Sequence, residues 1–248
     1  MRFNIYKEAK IGLCIIVFSM IAFVLFYFFA SMFTSVGYKK YRSSAVYEKN
    51  LNGKASIIID AGHGGEDPGA CANGLIEKDL NFELSMMLNE LFVSCGYNTV
   101  LTRKGDYLLY NQGEESKKKY YDLRNRVGIA DSNPNAVFVS IHLNKFSAEY
   151  CKGLQVFYSS NTNSGKLLAE NIQNGVCLLQ KDNKRQIKCG NDTIYLLENI
   201  RIPAVLVECG FISNKEESDL LKKHEYKAAL TLSVYCGVSD FMERCYEN

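Results

Sequence analysis

Two histidines and two glutamates in this chain stand where acid–base or metal chemistry is easily assembled. His63 closes Asp60-Ala-Gly-His63 behind one β-branched run, His142 closes Ser140-Ile-His142 behind another, and Glu208 closes Ala204-Val-Leu-Val-Glu208. Glu77 opens an amphipathic stretch in Gly74-Leu-Ile-Glu77-Lys-Asp. Neutral imidazole and carboxylate are ligands that zinc accepts, and a catalytic zinc site uses three of them so that a fourth position stays open. His63, Glu77 and His142 satisfy that count as metal ligands. Glu208 is left over as a catalytic base, able to take a proton from water and return it to a departing nitrogen.

Each of these residues also has a plainer reading when taken singly. A histidine at a strand end is commonly a hydrogen-bonded structural residue, and Glu77 alone is a helix N-terminal charge favoured by the dipole. Glu208 resists such a reading, because a carboxylate in a buried strand is costly unless it is paired or functional. Gly62, Gly64, Gly65 and Gly69, with Pro68 among them, fit a tight strand-exit loop passing close to a metal or substrate. His224, in Lys222-Lys-His224-Glu, reads as a solvated surface residue.

The elements that position these groups follow from hydrophobic periodicity. Strands are expected at 56–60, 97–102, 136–142, 154–158, 194–197 and 204–208. Helices are expected where Leu80, Leu84, Met87, Leu88, Leu91 and Phe92 recur before Gly96, over 122–131, around Leu168, Ile172, Val176 and Leu179, and over 225–245. Residues 103–121, polar and rich in tyrosine, read as a long surface loop with no fold element of its own. Alternating strands and helices indicate a three-layer α/β domain, in which ligands sit at the carboxyl ends of strands.

Residues 11–32 form an almost purely apolar run, long enough to cross a bilayer as a helix. This predicts a signal-anchor or transmembrane segment over 1–38 and a juxtamembrane spacer over 39–54, with the folded domain at 55–248. An uncleaved anchor is favoured over a cleaved signal, since the run exceeds an ordinary secretory h-region. Of 29 basic and 27 acidic residues, six and one respectively lie within 1–42, so the rest of the chain carries 23 against 26. The domain is slightly acidic, which excludes nucleic acid as a partner class. The nine cysteines contain no CxxC pair and do not form a cysteine zinc cluster. Cys95, Cys177, Cys209 and Cys236 lie in apolar segments and are expected to be buried; disulfide pairing stays open.

Five ordered blocks carry a resemblance: 57–70 (IIIDAGHGGEDPGA), 77–81 (EKDLN), Leu101-Thr-Arg103 with Asp106, 139–144 (VSIHLN) and 203–214 (PAVLVECGFISN). Together they resemble the N-acetylmuramoyl-L-alanine amidases of the zinc-dependent amidase-3 family, over roughly 55–245. The resemblance implies a mixed, mostly parallel sheet flanked by helices, one zinc ion (Zn2+) held by His63, Glu77 and His142, and Glu208 as the catalytic glutamate. It implies peptidoglycan as substrate and an extracytoplasmic location. A lone catalytic domain behind a hydrophobic segment is most similar to the CwlD type of spore-former amidase, which implies removal of stem peptides for cortex muramic δ-lactam formation and germination. Asp131, where the family usually has asparagine, and the long loop from Asp106 are departures that bear on substrate fit. Two rivals use the same residues differently: a zinc carboxypeptidase or endopeptidase, and a non-catalytic wall-binding module.

Overall fold

A computed structural model describes residues 55–177 and 179–246 of the chain. The expected membrane segment at 1–38 and spacer at 39–54 lie outside the described residues. Among the described residues no helix is long and apolar enough to cross a membrane.

Among the described residues eight strands form: β1 (Ser56–Ala61), β2 (Cys71–Ala72), β3 (Leu75–Ile76), β4 (Asn98–Leu101), β5 (Val137–Asn144), β6 (Gln155–Tyr158), β7 (Lys188–Cys189) and β8 (Ala204–Phe211). Six of them build one sheet in the order β4-β1-β5-β8-β6-β7, and β2 and β3 pair as a small hairpin. Every neighbouring pair of the main sheet is parallel except β6 with β8. The expected mixed, mostly parallel sheet is therefore present.

The described residues also form six helices: α1 (Glu77–Ser94), α2 (Lys118–Asp131), α3 (Asn163–Val176), α4 (Tyr195–Asn199), α5 (Lys215–Leu221) and α6 (His224–Tyr246). The inner strands are apolar on both faces, as a sheet covered on both sides requires. Ile57 and Ile59 share one core with Leu84, Leu88 and Phe92 of α1, Ile172 of α3 and Val234 and Phe241 of α6. Ile58, one residue out of phase, joins Phe138 and Leu206 in a second core under α2 and α4. Period-two alternation sorts side chains between two helical layers, and each fully buried Leu or Phe contributes about 1.5–3 kcal/mol.

Several expectations needed correction. Residues 194–197 do not form a strand but the start of α4: the edge of the sheet is taken by β7, and Leu196 and Leu197 drop into the second core instead. A short apolar run cannot be told from a buried helix by periodicity alone. The 103–121 loop contains a 3-10 turn at Glu115–Lys117 and the first turn of α2. Helix α5 is an element beyond those expected, capped by Asn214, whose side chain accepts from the Glu217 N–H at 3.0 Å. Cys95, Cys177 and Cys236 are exposed and only Cys209 of that set is buried. Cys95 and Cys177 fall at the C-caps of α1 and α3, past the last residues of their buried faces. All eight cysteines from Cys71 to Cys245 are free.

Candidate active site

The site lies at the carboxyl end of the sheet, where β1 gives way to the glycine loop. His63 sits two residues beyond β1 with φ 60°, a left-handed conformation uncommon outside glycine. Two buried arginines hold that backbone in place. Arg126 donates through Nη2 to the His63 carbonyl and through Nη1 to the Ala61 carbonyl, both at 2.9 Å. Arg103 donates through Nε to the Ala61 carbonyl at 2.9 Å and through Nη2 to the Gly62 carbonyl at 3.3 Å.

Arg126 is itself anchored by Asp60 and Asp122. Asp60 also accepts from Thr102 Oγ1 at 2.7 Å and Ser140 Oγ at 2.5 Å. Burial would raise the Asp60 pKa, but Arg126 and the two hydroxyls outweigh it and hold the carboxyl below its ordinary value.

Three side chains then converge. His63 Nδ1 pairs with Asp67 Oδ2 at 2.8 Å, which turns its Nε2 toward Glu77 Oε1 at 3.2 Å. His142, from β5, brings Nδ1 to 2.9 Å from the same oxygen. The two imidazoles meet edge to face with centroids 5.0 Å apart, and one ligand atom from each of His63, Glu77 and His142 lies within 4.8 Å of the others. Glu77 is positioned at the N-terminus of α1, with Oε2 accepting from Ala70 N–H at 2.7 Å and Oε1 from Leu143 N–H at 3.2 Å.

The electrostatics of the cluster suit a cation. Desolvation would raise the Glu77 pKa, yet its contacts with His142 and His63 carry it well below the carboxylate range. Desolvation would likewise lower the His63 pKa, and Glu77 and Asp67 raise it instead. A carboxylate oxygen that faces two imidazoles at once is a place where a metal ion can stand. The backbone leaves room for nothing else: a Cβ on Gly62 would lie 2.2 Å from His142 Nε2, and one on Gly69 would lie 2.5 Å from Glu77 Oε2. The donors and their packing fit a zinc ion, with the Asp67 contact to His63 orienting a ligand from behind.

Glu208 lies in register with His142 across the β5–β8 ladder. It is mid-strand rather than at a strand end, since β8 runs on to Phe211. Its Oε2 is shut off from solvent and has no hydrogen-bond partner among the described residues. Burial chiefly, with help from Glu77, pushes its pKa up to about 7 against the lowering pull of His142 and His63. A carboxyl so tuned can take up and release a proton near neutrality. The four residues expected from sequence are thus brought together, while His224 begins α6 as an exposed residue and Asp131 ends α2 in solvent.

Sequence reasoning gave no role to Asp67, Arg103 or Arg126. The signal was available for Arg126, which follows Asp122 by four residues on the apolar side of a helix where an unpaired guanidinium is not tolerated. Nor does the 103–121 loop stand apart from the His63–Glu77–His142 cluster. Asp106 accepts from Gly65 N–H at 2.6 Å and from Lys78 Nζ at 2.7 Å, which ties the loop to the segment carrying His63.

A mostly parallel α/β sheet that gathers two imidazoles and two carboxylates at its carboxyl end is an arrangement suited to a hydrolase with a metal site. The profile of the Amidase_3 family, described as N-acetylmuramoyl-L-alanine amidase, matches residues 57–240, and the chain belongs to that family. Relatives agree. The germination-specific N-acetylmuramoyl-L-alanine amidase of Bacillus subtilis is 33% identical over 190 residues, covering 76% of this chain and 79% of the relative. The structure of the CwlD amidase from Clostridioides difficile, solved with the GerS lipoprotein, is 37% identical with a TM-score of 0.73, over 77% of this chain and 100% of that one. N-acetylmuramoyl-L-alanine amidase AmiC2 of Nostoc punctiforme is 30% identical with a TM-score of 0.65, over 77% and 99% of the two chains. The protein is an N-acetylmuramoyl-L-alanine amidase of CwlD-like type acting on peptidoglycan.

Proposed function

We propose that the chain is a zinc amidase that hydrolyses the amide between the lactyl group of N-acetylmuramic acid and L-alanine of the stem peptide, in spore cortex maturation leading to muramic δ-lactam and to germination. The observation that carries this reading is the convergence of His63, Glu77 and His142 on one point with the unpartnered carboxylate of Glu208 beside it. When bound there, zinc supplies Lewis acidity toward the scissile carbonyl and a nearby water.

The remaining work belongs to the chain's own residues. Glu208 accepts the proton of the attacking water at its buried oxygen and returns it to the alanine nitrogen as the peptide departs. Asp67 fixes the ring of His63, and the backbone donors Ala70 and Leu143 fix the orientation of the Glu77 carboxylate. No covalent acyl-enzyme is required.

Residues 1–38 are read as a membrane anchor and 39–54 as a spacer, which would hold the domain outside the cytoplasmic membrane, against the wall or in the forespore intermembrane space. The C. difficile neighbour's complex with a lipoprotein supports an accessory partner for this chain as well. Digestion of purified spore peptidoglycan with the full chain, with and without zinc, followed by mass spectrometry, tests the reading. Peptide-free muramic acid should appear only with zinc; fragments cut within the stem would replace the amidase assignment by a peptidase one.

A further inference from the structure

The catalytic cleft contains a cation that amide hydrolysis leaves unused. The cleft, about 140 Å³, runs from His63 and His142 between α2 and α4, with Leu123, Ile194 and Leu206 as apolar wall and floor and Lys119 at its side. Most charged groups lining it are committed to one another: Asp122 and Arg126 pair, Arg126 holds Asp60 and the loop carbonyls, and Asp67 holds His63. Lys119 differs. Its side chain is 70% exposed and its Nζ stands 3.4 Å from Asp67 Oδ2, a loose contact with an oxygen already shared with His63. An exposed pair of this kind is weak, so the ammonium can exchange it for a substrate anion at small cost.

We propose that Lys119 is a specificity-determining residue that recognises the carboxylate on the second residue of the stem peptide; this rests on the amidase reading. The amidated glycan of the substrate is uncharged, so a cation in the cleft has its counterpart on the peptide side. With the lactyl carbonyl at the His63–Glu77–His142 cluster, L-alanine spans about 3.5 Å and the next residue's carboxylate follows at roughly 7 Å. Lys119 reaches that distance, being joined to the cluster through Asp67 at 3.4 Å and His63 Nδ1 at 2.8 Å. Leu123, Ile194 and Leu206 line the same cleft and are suited to the alanine methyl.

The test uses the full chain with zinc and two synthetic muramoyl tripeptides, identical but for a free or an amidated carboxylate on the second residue. The wild-type chain should favour the free acid in kcat/KM by about fivefold, a partly exposed ion pair's effect. K119M should bring the ratio near one and K119E below one, with bound zinc per chain unaltered in both. A ratio that neither variant moves, or a fall shared equally by both substrates together with lost zinc, would overturn the role of Lys119. A wild-type chain that releases peptide from neither substrate would instead overturn the amidase reading beneath it.

Discussion

At the scale of single residues, the proposed metal-holding and proton-transfer roles are separable by mutation. Glu208→Gln keeps the shape of the side chain but not its basicity, so turnover should fall by at least about 10²-fold while metal analysis still finds zinc bound. His63→Ala or His142→Ala should lose both together. Asp67→Asn leaves His63, Glu77 and His142 in place and weakens the support behind His63, together with the loose Lys119 contact, so zinc affinity measured by competition with a chelator should fall about 10- to 100-fold. An Asp67→Asn variant with wild-type affinity would show that the 2.8 Å contact to His63 does not orient the ligand.

At the scale of elements, the strained turn after β1 depends on α2 and on Arg103 next to β4. The Asp60–Arg126 pair is fully buried beneath it, and breaking a buried pair from one side strands the other charge. Arg126→Met should therefore cost about 3–5 kcal/mol in denaturant unfolding, with reduced zinc affinity as His63 loosens. The pair also sets an acid limit. Because the Asp60 pKa lies lower in the fold than its ordinary 3.8, the unfolded chain binds the proton more readily. The stability this carboxylate contributes is complete above that ordinary value and drains away as pH falls through it toward the folded one. Asp60→Asn should lower the melting temperature at neutral pH and flatten its decline in acid; an unchanged acid slope would contradict the assignment.

For the molecule as a whole, residues Leu51–Asn248 form a compact unit of their own. A chain beginning at Leu51 should unfold in one cooperative transition and cleave soluble muropeptides. Zinc that binds the folded site should raise its melting temperature, a free energy of about 2.7 kcal/mol at a hundredfold excess over Kd. A chelator should reverse the shift, and calorimetry with and without it measures the difference.

Residue types and periodicity alone determined much of this protein: the alternating order of strands and helices, the buried segments and the four groups that meet at the site. That was legible because β-branched runs ending in Asp60-Ala-Gly-His63, Ser140-Ile-His142 and Val207-Glu208 place polar groups where local pattern predicts apolar ones. What tertiary structure decided were the features that depend on distant partners. Leu196 became helical because a neighbouring strand already occupied the sheet edge. Arg126 became a clamp because the end of β1 and the turn after it present carbonyls 63 to 65 residues earlier in the chain. Asp67 acquired a purpose only once a positive φ turned His63 toward it. Propensity acts within a few residues, whereas these contacts are set by the closing of the sheet and the packing of helices on it.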